Sequence, residues 1–235
     1  MGLSHSPSIV TDGLILCLDA ANARSYPGTG TTWTDLVGGN DGTLKNMNAS
    51  NFDVANGGSL VFDGTNEYIS IAGNGAGAAV ADSDEFTLMT WVNLDVTSTQ
   101  DIIEFGSSNN YAVQLVSVNG KFSTGAACGG RSQYLTANDS FSTGVWYHLA
   151  GSIKAFGDAF LYVNGKSVSG TVSGLGPPVQ CLQDFDQATG RFIGQHAGGP
   201  GLYLNGKLSG VTMYNRQISH QEVRQNYLAT KGRYE

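Results

Sequence analysis

The chain is poor in cysteine, proline and charge. Its 235 residues include three cysteines (Cys17, Cys128 and Cys181), five prolines and only 13% charged residues. An odd, sparse set of cysteines is not a disulfide framework. One bridge stays open as an option, but folding that does not depend on it suits synthesis in a reducing cytosol. Basic residues number 12 against 19 acidic, giving a net charge of -7, with no run of Lys and Arg to offset it. Phosphate backbones and anionic lipid surfaces would be repelled, so neither nucleic acid nor membrane is expected as a partner. No stretch approaches the roughly 18 apolar residues of a transmembrane helix. GLILCLDAANA (Gly13 to Ala23) also fails the signal-peptide pattern: its apolar core is short, no basic residue precedes it and Asp19 interrupts it. Ile15 and Leu16 stand before Cys17 where a lipid-attachment site wants a small residue. The segment reads as a first strand.

What the chain has in abundance is glycine, 33 residues, spread with Thr, Ser and Asn between short apolar runs. That texture belongs to many strands joined by tight turns, and 40% hydrophobic residues suffice for a substantial core. FTLMTWVNL (Phe86–Leu94) alternates, placing Phe86, Leu88, Thr90, Val92 and Leu94 on one face and Met89 and Trp91 on the other. Further strands are expected at DIIEFG (Asp101–Gly106), YAVQLVSV (Tyr111–Val118), WYHLAGSI (Trp146–Ile153), AFLYV (Ala159–Val163), GRFIG (Gly190–Gly194) and LSGVTMYN (Leu208–Asn215). Several are apolar on both faces, as for strands packed between a second sheet and another layer. Asn164-Gly165 in LYVNGKSV fits a two-residue hairpin turn, and Asn205-Gly206 in LYLNGKLSG repeats the pattern. The similarity ends within about ten residues, so the same turn is expected twice rather than a repeat architecture. One helix is expected in ISHQEVRQNYLATKG, capped by Ser219 with Glu222 three residues on, carrying Val223, Tyr227 and Leu228 inward and ending at Gly232. Such a helix forms a lid over a sheet edge or groove. Long loops are expected at Ala72–Asp84 and Val172–Gln180. No composition break divides the chain, so it reads as an N-terminal arm (residues 1–12) and one domain (residues 13–235).

SLVFDGTNEYISI (Ser59–Ile71) poses the first chemical question, because two apolar runs flank a turn with two carboxylates. Calcium takes six to eight oxygens from carboxylates, amides and turn carbonyls, and Asp63, Asn66 and Glu67 would be part of such a shell. Asp and Asn also stabilise turns by bonding their own backbone, with no ion. Neither the four histidines (His5, His148, His196 and His220) nor the glycine runs AGNGAGAA and HAGGPG fit a metalloprotease, nucleophile-elbow or phosphate-loop motif. His148 in WYHL reads as a hydrogen-bonded structural residue.

In order along the chain, SLVFDGTNEYISI, FTLMTWVN, GVWYHLAGSI, LYVNGK, RFIG and LNGKLSGVTMYNRQISHQEVRQNYLA resemble laminin-G-like, concanavalin-A-like lectin and glucanase domains. The N-terminal stretch Gly13–Leu44 is most similar to versions of this domain in tailed-phage structural proteins, marine ones especially. The resemblance implies an all-β fold, a two-sheet antiparallel jelly-roll sandwich with one short C-terminal helix. It also implies a face or loop rim that binds sugars or proteins, and often one calcium ion. Fold alone does not settle function, since this sandwich carries hydrolases, lectins and passive modules. Some glucan hydrolases of this fold carry E-x-D-x-x-E on one strand. Here TQDIIE (Thr99–Glu104) keeps Asp101 and Glu104 but has Thr99 in the nucleophile's place. In a regular strand Asp101 and Glu104 point to opposite faces, and only a bulge would unite them. No catalytic residue is therefore expected.

Sugar binding needs exposed aromatic faces with planar hydrogen-bonding groups. Trp91 and Trp146 lie in strands with core counterparts in the family, and TTWTDL around Trp33 has a structural counterpart too. Tyr111, Arg131, Tyr134, His196 and Tyr203 remain as rim residues, with CGGRSQY (Cys128–Tyr134) read as a polar loop among them. The resemblance then implies a non-enzymatic virion-surface module (capsid decoration, fibre or tail tip) made in the host cytoplasm. Its expected partners are other virion proteins and host-surface glycans. Assembly would use a sheet edge, the arm or the tail KGRYE, as a homo-oligomer. The alternatives are an extracellular bacterial carbohydrate-binding lectin and a glucan hydrolase.

Overall fold

The computed structural model describes residues 7–72, 85–107, 111–128, 131–154, 159–174 and 190–235. Within them the alternating segments form two antiparallel sheets. The back sheet runs β14 (Lys166–Ser167), β13 (Ala159–Val163), β12 (Trp146–Lys154), β7 (Glu85–Leu94), β17 (Asn205–Tyr214), β5 (Ser59–Asp63) and β4 (Phe52–Asp53). Beside β17, beyond the end of β5, lies β1 (Leu14–Asp19). The front sheet runs β15 (Gly170–Ser173), β11 (Arg131–Ala137), β10 (Lys121–Cys128), β9 (Tyr111–Val118), β8 (Gln100–Ser107), β16 (Gly190–Ile193), β6 (Tyr68–Ile71), β3 (Gly42–Lys45) and β2 (Thr32–Trp33). The chain is thus the expected all-β sandwich with one short helix, α1 (His220–Thr230).

Period-two alternation builds the space between the sheets. Phe86, Leu88, Val92 and Leu94 of β7 meet Ile103 and Phe105 of β8 and Val113 and Leu115 of β9 in one buried cluster. Each such side chain contributes about 1.5–3 kcal/mol by leaving water. Trp33 lies in the same core, fully buried. Met89 faces the other way, into a second cluster with Val10, Ala150, Tyr162, Tyr214, Ile218 and Val223. Helix α1 covers that outer surface of the back sheet. Ser219 and Glu222 form the expected capping box, with the Ser219 hydroxyl accepting from the Glu222 amide. Val223 and Asn226, rather than Tyr227 and Leu228, are its buried residues. Asn226 is buried because its amide has partners, accepting from the Val10 amide at 2.8 Å and donating to the Tyr214 hydroxyl at 2.9 Å.

The arm and the tail close the same surface. The Tyr214 hydroxyl donates to the Val10 carbonyl. Arg233 makes a two-pronged ion pair with Asp19 at 2.8 and 3.0 Å. Tyr234 stacks on Trp91 with ring centres 4.0 Å apart. Trp91 is therefore buried under the tail and not between the sheets, and Trp146 is only half-buried beside Tyr234. Residues 7–12 and KGRYE, expected as assembly segments, are engaged by their own domain.

Three turns depart from expectation. Asn164-Gly165 is the two-residue hairpin foreseen, with both φ positive. Asn119-Gly120 makes another between β9 and β10. Asn205-Gly206, however, lies inside β17, where Gly206 pairs with Phe62 on one side and Leu94 on the other. A Cβ on Gly206 would run into the Asn93 carbonyl, so glycine is there for a close backbone approach. The Asp63–Glu67 turn is not a hairpin either, because β5 belongs to the back sheet and β6 to the front one. The described part of CGGRSQY is strand: Cys128 ends β10 and Arg131 begins β11. Most of both long loops expected, at 72–84 and 172–180, falls outside the described residues, although Val172 and Ser173 belong to β15.

Candidate functional site

The middle of the front sheet is built by β8. Its sequence Asp101-Ile102-Ile103-Glu104 sets two neighbouring apolar residues between two acids. A regular strand would turn one isoleucine outward and one acid inward, and an isolated carboxylate in the core costs several kcal/mol. The strand instead bulges between Asp101 and Ile103. Ile102 and Ile103 both enter the core, each fully buried. Asp101 and Glu104 thereby share the outer face, which overturns the expectation that they diverge.

The third member comes from the loop after β16. His196 Nδ1 lies 2.7 Å from Glu104 Oε2 and 3.1 Å from Asp101 Oδ2. The Ala197 amide donates to Glu104 Oε2 at 2.8 Å, and the Asp101 amide donates to the Leu202 carbonyl. The carboxylate side chains are 5% and 4% exposed and the imidazole 37%, so two buried acids hold a ring whose other edge is open. Burial, and then the neighbouring Glu104 charge, push the Asp101 carboxyl up to about 7 against the pull of His196.

Aromatic rings flank this cluster. Phe192 is the cross-strand neighbour of Glu104 and packs edge-to-face with Tyr68, centres 5.5 Å apart. On the other side register carries Glu104 to Gln114, Gly125 and Tyr134. Tyr134 leans across Gly125, where a Cβ would overlap its ring. Burial foremost, with the charges of Glu104 and Asp101, raises the Tyr134 phenol above its usual value.

Of the five expected rim residues, the structure brings His196 and Tyr134 to one face. Arg131 is exposed at the start of β11, and Tyr203 is half-buried between the His196 loop and β17. Tyr111 begins β9 opposite Ser107 and Cys128, and its side chain lies outside the described part of the structure. Gln114, Phe192 and Tyr68 were not singled out from the sequence. The usable signal was the doublet Ile102-Ile103 between acids.

Asp63, Asn66 and Glu67 are placed otherwise. Glu67 accepts from the Asn51 amide group at 2.6 Å and from the Asp63 backbone amide at 2.7 Å, one bond to each oxygen. Asp63 Oδ1 accepts from the Thr65 amide, and the Asn66 carbonyl accepts from the Asn46 side chain. These contacts turn the chain from one sheet to the other, as Asp and Asn side chains do without an ion. Among the described residues, the three ligand-type groups that converge are Asp101, Glu104 and His196, their donor atoms all within 4.8 Å of one another.

A cavity of about 80 Å³ lies on the opposite surface, beneath the tail, lined by Cys17, Met89, Trp91, His148 and Tyr234. His148 is buried there beside Trp91, and burial lowers its imidazole to about 3; it is structural, but among the described residues its ring Nδ1 has no hydrogen-bond partner, unlike the hydrogen-bonded residue expected. Cys17 is a buried free thiol whose pKa burial raises to about 11.

Comparison with known proteins agrees with this architecture. The profile of the concanavalin A-like lectin/glucanases superfamily matches residues 63–224. Mouse (Mus musculus) pentraxin-related protein PTX3 is 29% identical over 150 residues, 60% of this chain and 38% of that protein. Among solved structures, Trypanosoma rangeli sialidase bound to the inhibitor DANA superposes with a TM-score of 0.62 at 18% identity. That match covers 96% of this chain and 35% of the sialidase. Domain 4 of AbnA, an extracellular arabinanase from Geobacillus stearothermophilus solved with arabinotriose, gives 0.61 at 18% identity, covering 92% of this chain and 98% of the domain. The botulinum neurotoxin serotype D/C binding domain gives 0.62 at 11% identity, covering 92% of this chain and 52% of that one.

Proposed function

This chain belongs to the concanavalin A-like lectin/glucanase superfamily, and we propose that it is a non-catalytic carbohydrate-binding module that uses the outer face of its front sheet. One observation carries the reading. A half-exposed imidazole, held from beneath by two buried carboxylates, stands between the ring platforms of Phe192–Tyr68 and Tyr134. A pyranose offers an apolar face that stacks on rings and a rim of hydroxyls that bonds planar polar groups. With Nδ1 turned to the acids, Nε2 is the edge of His196 left for a hydroxyl. The AbnA domain bound to arabinotriose and the toxin binding domain lend support as neighbours of the same fold.

The test is a glycan array followed by calorimetry on the selected sugar. Wild type is expected to bind, and His196→Ala and Tyr134→Ala each to weaken binding at least about tenfold, the worth of one hydrogen bond or ring contact. Absence of any saturable glycan, or variants that bind as wild type, would sink the proposal. Placement on a virion surface with other virion proteins extends this reading and rests on the likeness of Gly13–Leu44. Its separate test is mass spectrometry of purified particles.

The paired carboxylates favour a second reading, glycoside hydrolysis, in which an acid raised towards neutrality serves beside an ionised one. Thr99 in place of an acid and the burial of both carboxylates weigh against it. Reducing sugar released from a β-glucan and abolished by Glu104→Gln would establish this second reading over the first.

A further inference from the structure

The geometry points to a divalent-cation site at Asp101, Glu104 and His196, of the zinc or manganese class and not of the calcium class. Three donor atoms from two elements meet at one point. His196 Nδ1 stands within hydrogen-bond reach of both carboxylates, at 2.7 and 3.1 Å. A single ring nitrogen carries at most one hydrogen, so it satisfies one carboxylate directly, and the second needs a proton of its own or a cation. Both carboxylates are buried, and His196 is the partner that the described residues set beside the two of them. Buried acids in such a position are paired with charge or coordinate a metal. A divalent ion accepts a lone pair from all three donor atoms together, and these lie within 4.8 Å of one another.

The surroundings are built and not incidental. The bulge that unites the acids is set by two core isoleucines. The Ala197 amide holds Glu104 at the oxygen nearest the imidazole, and the amide of Asp101 is fixed to Leu202, within the segment that follows the histidine loop. This is the outer-shell bonding that orients metal ligands. The donor set selects the ion. Calcium takes oxygens alone and six to eight of them, whereas one imidazole with two carboxylates suits zinc or manganese. The inference stands on donor geometry and not on the glycan reading, so either can fail alone.

The experiment is calorimetric titration of the whole chain, first stripped with EDTA, using zinc chloride, manganese chloride and calcium chloride. Zinc is expected to bind one to one with Kd below about 10 µM, and calcium at least about a hundredfold more weakly. His196→Gln and the double variant Asp101→Asn/Glu104→Gln are each expected to weaken zinc at least about tenfold. Circular dichroism checks that the variants fold. A zinc-dependent stabilisation of wild type, about 2.7 kcal/mol at a hundred times Kd and seen as a rise in melting temperature, gives a readout needing no variant. No saturable zinc binding below about 1 mM, calcium binding as tight as zinc, or zinc binding unchanged in folded variants overturns the proposal.

Discussion

Asp101 and Glu104, three residues apart on one strand, point the same way. The cause is the bulge at Ile102, where a second apolar side chain enters the core and shifts the phase of the strand by one residue. The candidate site therefore depends on hydrophobic residues that never touch it.

Two titrations of opposite sign run through the same pH window. The Asp101 carboxyl, held at about 7 against an ordinary 3.8, keeps its proton in the folded protein after the unfolded chain has lost it. Stability from this group is full below about 4 and falls as pH rises towards 7. His148, held at about 3 against 6.5, stays neutral in the fold while the unfolded chain takes up a proton. Its contribution is full above about 6.5 and falls as pH drops towards 3. Urea unfolding of metal-stripped wild type between about pH 4.5 and 6.5 is expected to show a shallow dependence, as the two offset each other. Asp101→Asn is expected to make stability rise with pH, and His148→Phe to make it fall. Slopes of the same sign in the two variants would contradict the assignment.

Glu67 tests the turn against the ion. Both its oxygens receive protein hydrogen bonds, so Glu67→Ala strands one hydrogen of the Asn51 amide group, whose other bonds go to Val61 and Asn48, and the Asp63 backbone amide. A loss of about 1–3 kcal/mol follows from that desolvation. The expected loss is the same in EDTA and in millimolar calcium. A calcium-dependent stabilisation of wild type that Glu67→Ala removes would show that the turn rearranges around an ion.

The tail is a structural strap. Tyr234 stacks on Trp91, tilts against Trp146 at 4.9 Å and donates to the Ser209 hydroxyl at 2.6 Å. Tyr234→Ala is expected to lower stability by about 2–4 kcal/mol and to shift tryptophan emission to the red as Trp91 meets water. Tyr234→Phe keeps the stack and loses only the hydrogen bond, about 1 kcal/mol. Equal losses in the two variants would assign the energy to the hydroxyl.

How much of this was legible before the structure depends on range. FTLMTWVNL declared its faces, and Ser219 with Glu222 declared the helix start, because period and cap are local properties. Val-Asn-Gly-Lys makes a hairpin at residues 118–121 and 163–166, while Leu-Asn-Gly-Lys at 204–207 runs through a strand. The same local chemistry yields to tertiary pairing where neighbours on both sides claim the backbone. The bulge at Asp101-Ile102-Ile103-Glu104 could have been read from the cost of burying an acid. The arrival of His196 on those acids could not, because 92 residues of chain separate it from Glu104 and only the sheet order brings them together. Trp91 was legible as buried but not as buried under the tail, since an outward face covered by a helix carries the same apolar pattern as an inward one.

Gly125 gives the sharpest test of the ring platform. Its missing side chain is what admits the Tyr134 ring, since a Cβ there would overlap that ring and press on the Gln133 carbonyl. Gly125→Ala therefore displaces Tyr134 from its position toward Glu104 without altering any polar group of the site. On the glycan that wild type selects, the expected loss of affinity is about tenfold, close to that of Tyr134→Ala. The double variant should lose no more than either single one, because both remove the same contact, and a thermodynamic cycle reads that coupling directly. Zinc affinity should be unchanged, as neither residue is a ligand. Additive losses would mean that Gly125 acts through the sheet and not through the ring, and the platform would then have to be sought at Phe192 and Tyr68.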